Sequence, residues 1–267
     1  MATVTAQEVK DLRDKTGAGM MDCKKALIEA DGDMEKAIDE LRKSGIAKVA
    51  KKAGRTAKEG RVVINISGNT AAAVEVLVET DFVAKSERYL NYVEDLANRV
   101  ISNYNGDGDL SDSVRSAETD SIGELCAVIG ENIQVRRVIR WNSDASLYSY
   151  LHMGGRIGVL ADVAGDCSDE LLKDICMHIA AFNPRFISDS EISADVVAKE
   201  REIAAAQVGE KPANMIEKIV DGKISKWYSE VCLEKQPWIR DDKSCLAKVA
   251  PKVKVRRFLR WEVGEEL

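Results

Sequence analysis

Apolar positions recur at helical spacing near the start of the chain and at every second position beyond residue 60, which divides the chain before any motif is sought. Val9 and Leu12 begin a helical stripe headed by Thr5, with Glu8 three residues on, the pattern of a capping box. The small residues Thr16, Gly17, Ala18 and Gly19 allow a tight reversal. A second helix is predicted from about Met21 and Asp22, carrying Ala26, Leu27 and Ala30. Asp31, Gly32 and Asp33 break it, and Ala37, Ile38 and Leu41 mark a third. Residues 1–46 thus read as a compact three-helix module. Residues 47–59 are basic and small (Lys48, Lys51, Lys52, Gly54, Arg55, Lys58) and suit a solvated linker, with contact to RNA or an acidic partner as the alternative.

In residues 60–141 the period becomes that of a hairpin followed by a helix. Val62, Ile64 and Ile66 alternate up to the turn signal Ser67, Gly68, Asn69. The return strand places Val74, Val76 and Val78 on one face and Glu75, Leu77 and Glu79 on the other, and Leu90, Val93, Ala97 and Val100 define the helix. The same order recurs in residues 142–267. Tyr148 to Met153 lead through Gly154 and Gly155 into Ile157, Val159, Ala161 and Val163, then a helix with Leu172, Ile175, Cys176 and Ile179. Each half also owns a strand, Ile133 to Trp141 and Val253 to Trp261, and both end in Arg-Arg, two apolar residues and Arg-Trp. The pattern predicts an α+β fold with one subdomain duplicated. A helical hairpin at about 188–232 interrupts the second copy, with breaks at Gly209 and Pro212. Its later arm carries Ile216, Val220, Ile224, Trp227 and Val231 as one stripe, which either packs internally or serves a second copy.

Composition narrows the function classes. With 45% hydrophobic and 31% charged residues, and without an apolar run long enough for a membrane or a signal-peptide pattern, a cytosolic globular protein is expected. A net charge of −6 argues against general nucleic-acid affinity. The arginine pairs Arg136, Arg137 and Arg256, Arg257 do not restore it, because consecutive strand residues point to opposite faces. The 6 cysteines are scattered without a C-x-x-C pair, and His152 and His178 have no ligand-spaced partner, so neither a metal nor another cofactor is expected. Phosphate-binding loops and the nucleophile elbow are missing, which leaves little support for an enzyme. Attention falls instead on Thr80, Asp81, Phe82 and Val83. Phe occurs 4 times in 267 residues, and a ring beside an acid at the end of a strand is poorly placed to build a core. It suits a surface meant for another protein.

The run from Leu12 through Thr16-Gly17-Ala18-Gly19-Met20-Met21-Asp22-Cys23 to Leu27 resembles the N-terminal signature of the bacterial elongation factor Ts family. Thr80 to Lys85 is similar to that family's second signature, and Ile129 to Ile133, Gly155 to Val159 and Met177 to Ala181 extend the resemblance over nearly the whole chain. The resemblance implies an exchange factor that binds elongation factor Tu with GDP bound or nucleotide-free, and that makes or breaks no bond in the nucleotide. It implies a ubiquitin-associated-like first module and a hairpin that forms a coiled-coil homodimer in some members. Residue by residue, it implies docking through Lys10, Arg13, Met20, Met21 and Lys24, and a wedge at Thr80, Asp81, Phe82 and Val83 that disturbs the partner's magnesium site. Further contacts implied are Ile129, Gly130, Glu131 and Asn132, near the partner's phosphate-binding region, and His152, on a more distant domain. Longer family members continue into a C-terminal helical module where this sequence ends at Val263 to Leu267, so that contact is expected to be missing.

Overall fold

The computed structural model of the chain describes residues 4–52, 54–208 and 212–266; Gly209 and Leu267, named above, lie outside the described residues. Helix α1 (Ala6–Thr16) starts with both halves of the capping box. The Glu8 N–H donates to Thr5 Oγ1 at 3.3 Å, and the Thr5 N–H donates to the Glu8 carboxylate at 2.7 Å. Gly17 closes it at φ +69°, a left-handed conformation that a side chain would strain. Val9 and Leu12 then meet Cys23, Ala26 and Leu27 of α2 (Met20–Glu29) and Ala37 of α3 (Met34–Lys52) in a core of their own. Helix α3 runs well past residue 46 into the expected linker. The strong helix formers Ala and Lys at every position of 47–52 except Val49 account for the extension.

Next come β1 (Glu59–Ser67) and β2 (Thr70–Val78), joined through Gly68 and Asn69, then α4 (Asp81–Ala84) and α5 (Glu87–Asn103). They are followed by β3 (Gly108–Asp109), α6 (Ser111–Ala117), α7 (Thr119–Ile129) and β4 (Gln134–Asn142). The strands form a sheet in the order β1-β2-β4-β3 with antiparallel pairs, so β2 is interior. Val63 pairs with Val74, and cross-strand partners share a face. That face, with Val74, Val76 and Val78, buries against Tyr89, Val93, Leu96, Ala97 and Val100 of α5 and Ile122, Leu125 and Cys126 of α7. The alternating set Val62 and Ile64 lies on the opposite face, together with Glu75. That face is buried as well: Val62 and Glu75 are both 0% exposed.

The two arginines expected to diverge instead converge. The register of β2 on β4 shifts between Glu75 and Val76, so Arg137 pairs with Glu75 but Val135 pairs with Val76. Arg136 is the extra residue of a β-bulge, which re-aims its side chain. Arg137 Nε donates to Glu75 Oε2 at 2.5 Å and Arg136 Nη1 to Glu75 Oε1 at 3.3 Å. Residues 261–266 complete this cluster. The Gly264 N–H donates to Glu75 Oε1 at 3.0 Å, Glu265 accepts from Arg137 at 2.8 Å, the Glu265 carbonyl accepts from Arg136, and the Trp261 ring lies 4.6 Å from the Arg137 guanidinium.

The second copy contains β5 (Ser146–His152), β6 (Ile157–Ala164) and α8 (Asp169–Phe182), then α9 (Ala194–Ala206) and α10 (Ala213–Val231). It ends with β7 (Pro237–Trp238), β8 (Asp241–Cys245), α11 (Leu246–Val249) and β9 (Lys254–Glu262). Its three-stranded sheet has the order β5-β6-β9, the same hairpin-plus-third-strand arrangement as β1-β2-β4. The repeat reaches to the buried pair, since Asp162 of β6 accepts from Arg257 of β9 at 3.1 Å as Glu75 of β2 does from Arg137 of β4. Arg256 bonds Asp144. In the hairpin, Ile216, Val220 and Ile224 of α10 pack on Ala204 of α9, which settles the inner part of the stripe as internal packing. Two compact units result. One comprises residues 1–142, 153–157 and 261–267, the other residues 143–152 and 158–260.

Candidate functional site

Strand β2 ends at Val78, where the main chain leaves the sheet and its next N–H groups need other partners. Glu131 supplies them. Its Oε2 accepts the N–H of Glu79 at 3.1 Å and of Thr80 at 3.0 Å, and its Oε1 accepts the Thr80 hydroxyl at 2.6 Å. The bracing is reciprocal, because Glu79 Oε1 accepts the Asn132 N–H at 2.7 Å. Asn132 is buried, and its Nδ2 donates to the Arg55 carbonyl at 2.8 Å. Gly130, at φ +89°, caps α7 and turns the chain so that these two residues reach Glu79 and Thr80.

Thr80 then caps α4, its Oγ1 accepting the Val83 N–H at 3.4 Å. Within this single turn the side chains divide by chemistry. Val83 and Ala84 pack on the core beneath, and the Ser86 hydroxyl donates to the Val83 carbonyl at 2.8 Å. Phe82 points the other way and is 83% exposed. Lys85 Nζ bonds Asp81 at 2.7 Å, and this bond holds the Asp81 carboxyl below the usual carboxylate range. The pair is exposed and so orients Asp81 more than it stabilises the fold. The turn stands on a firm base: the buried Tyr89 of α5 donates its hydroxyl to the Val76 carbonyl at 2.7 Å.

The first module contributes a second exposed surface. Lys10 and Arg13 of α1 and Met20, Met21 and Lys24 of α2 are all exposed, Met21 to 74%. The module's turn lies against α5, where a Cβ added at Gly17 would stand 2.4 Å from Arg88 Nη1. Arg42 of α3 and Glu124 of α7 pair at 2.9 Å on the surface, and Thr16, Arg88, Asn91, Glu124 and Val128 line a cleft of about 520 Å³ between module and helices. The methionine patch and the Phe82 turn therefore belong to one compact unit, as do Ile129 and Gly130. His152 belongs to the other, exposed at the end of β5, with its Nδ1 3.0 Å from the Tyr150 hydroxyl.

Sequence reasoning singled out Phe82 through its placement, and the structure leaves its ring in solvent. It did not single out Glu79, the half of the brace that lies on the strand side. A glutamate directly before a capping threonine at a strand end was the available signal. Among the described residues, no group of three or more His, Cys, Asp or Glu side chains is placed to hold a metal ion.

A helical module, an α+β unit used twice and an aromatic ring held out on a braced turn define an α+β protein with apolar side chains presented at its surface. The family model described as elongation factor TS matches residues 79–265. A relative from Pediococcus pentosaceus named elongation factor Ts is 44% identical over 274 residues, covering 99% of this chain and 94% of its own length. The chain belongs to the elongation factor Ts family. Members of that family are guanine nucleotide exchange factors of elongation factor Tu in translation elongation and do no bond chemistry on the nucleotide.

Proposed function

We propose that this chain releases GDP from elongation factor Tu by pressing Phe82, with Asp81 beside it, into the partner so that the partner's magnesium and phosphate site is disturbed. The observation that carries the reading is Phe82 itself, 83% exposed on a four-residue helix fixed at its base. Burying such a ring gains about 1.5–3 kcal/mol, available only in the conformation of the partner that opens to receive it. Linkage does the rest. A factor that binds the nucleotide-free partner better than the GDP form weakens GDP by the same factor. Because magnesium bridges phosphate oxygens to protein, displacing its ligands removes much of the electrostatic hold on GDP.

In this reading Lys10, Arg13, Met20, Met21 and Lys24 dock the first module on the same partner, where flexible thioethers suit an adaptable surface. Ile129 and Gly130 contact it beside the wedge, and His152 contacts another part of it. The arginine pairs are engaged by Glu75, Asp144 and Asp162, which favours a protein partner over nucleic acid. The helices α9 and α10 expose Val196, Ile203 and Met215, a surface on which a second copy could associate. The compartment is the cytosol, in keeping with a translation factor; no helix among the described residues is long and apolar enough to cross a membrane.

The test is stopped-flow release of fluorescent GDP from elongation factor Tu. Phe82→Ala is expected to slow release at saturating factor by roughly tenfold or more, the equivalent of losing most of the ring's burial. Complex formation should weaken much less. An unchanged release rate would sink the wedge, and binding with no acceleration at all in the native chain would make it an adaptor.

A further inference from the structure

Glu131 is one of the residues for which the family resemblance implies a partner contact, yet its carboxylate is already used inside the molecule. Oε2 takes two main-chain N–H groups and Oε1 takes a hydroxyl. We propose that Glu131 is a positioning residue: it fixes the strand end at Glu79 and Thr80, and through Thr80 sets the direction in which Phe82 leaves the surface. This rests on the exchange reading above.

The physical need is plain. A four-residue helix has too few internal hydrogen bonds to hold its own shape, since the first turn fixes several dihedrals for one bond. The α4 turn must be held from outside, and the hydrogen-bond chain runs from Glu131 to Thr80 to the Val83 N–H. Hydrogen bonds to a charged acceptor are stronger than neutral ones, and here one carboxylate makes three. Glu79 returns a bond to Asn132 at 2.7 Å, so the segment carrying Glu131 and the turn carrying Phe82 move together. Asn132 ties the pair to the Arg55 carbonyl, in the stretch that follows α3. Glu131 thus acts on the partner through the angle of Phe82, without touching it.

A double-mutant cycle separates this from a direct contact, because side chains acting through one another are not additive. Catalysed GDP release at saturating factor is measured for the native chain, Glu131→Ala, Phe82→Ala and both together. Glu131→Ala is expected to slow release on the order of tenfold in the native background, and less than about twofold once Phe82 is gone. Equal effects in both backgrounds, or no effect in the first, would overturn the proposal. Thr80→Val, which removes the hydroxyl at nearly constant shape, should fall between, and Thr80→Ser should restore native release. If Glu131→Ala unfolds the chain, the Thr80 pair decides: equal release by the Val and Ser variants overturns the proposal. Amide exchange supplies a second readout, with Glu79, Thr80 and Val83 expected to exchange faster in Glu131→Ala while α5 is unchanged. Should Phe82→Ala alone leave release untouched, the exchange reading fails and this proposal with it; a normal loss in Phe82→Ala with Glu131→Ala silent removes only the brace.

Discussion

His178 lies fully buried in the second unit, stacked on Phe182 at 4.6 Å and on Trp238 at 5.1 Å between ring centroids. Its Nε2 is 3.0 Å from Gln236 Oε1, which can only accept, so Nε2 carries a proton. Nδ1 has no hydrogen-bond partner, and a second proton there would meet nothing to accept it. Burial accordingly pushes the imidazole below its ordinary value, against the smaller opposing effect of the Gln236 bond. The unfolded chain takes up a proton at this residue near pH 6.5 while the folded chain resists, so stability should be lost as pH falls below about 6.5. Thermal melts between pH 7 and pH 5 should show a smaller drop for His178→Gln than for the native chain; identical slopes would refute the assignment. Little of this was legible in the sequence, where His178 showed only that it has no ligand-spaced partner. Phe182 lies one turn further along α8, but Trp238 and Gln236 come from residues distant in the chain. Phe82 was legible because its signal was local, an aromatic ring beside an acid where a strand runs out.

Strand β2 shows where alternation stops being informative. Its valines were read correctly as a core face, and Glu75 fell by the same rule on the other face, which a two-layer fold would leave in water. In the structure that face is also covered, so a carboxylate lies in the sheet interior with two guanidinium groups brought to it by the bulge. A bulge depends on how two strands pair and leaves no mark in either strand alone. Removing one partner of such a buried cluster leaves uncompensated charge, and Glu75→Ala is expected to destabilise the first unit by about 3–5 kcal/mol. Urea unfolding followed by a probe in that unit measures it, and a loss under about 1 kcal/mol would mean that water enters and rescues the arginines. The capping box of α1 and both strand hairpins, by contrast, follow from short-range rules and appear where the sequence put them. The end of α3 does not, because charge and small size marked residues 47–52 as linker while their helix propensity carried the helix on.

At the scale of the whole molecule, the duplication was visible in the repeated Arg-Arg strand and returns as matching strand order and a matching acid–arginine pair. The copies differ at the turn that carries Phe82. Strand β2 is followed by the inserted turn α4 before α5, whereas β6 passes at Ala164 almost directly into α8 at Asp169, with no counterpart of Phe82. The Glu131 brace belongs to that addition and could not be inferred from the repeat. Another long-range link closes the first unit from far along the chain: the Gly264 N–H and Glu265 meet Glu75 and its arginines. A chain ending at Arg260 is therefore expected to keep the first module folded but to exchange the β2 amides around Glu75 much faster, as hydrogen exchange would show. Protection at native levels would mean that residues 261–266 add nothing to the cluster.

That closure also sets an order in time. A protein is made from its N-terminus, and Glu75 leaves the ribosome 189 residues ahead of Gly264. The unit that holds the Phe82 turn is synthesised early but finished late: Glu75 meets Arg136 and Arg137 of β4 first and the Gly264 N–H only after β9 has been made. A fragment that stops before residue 261 would thus carry Phe82 and its turn without the Gly264 and Glu265 bonds to Glu75 and its arginines.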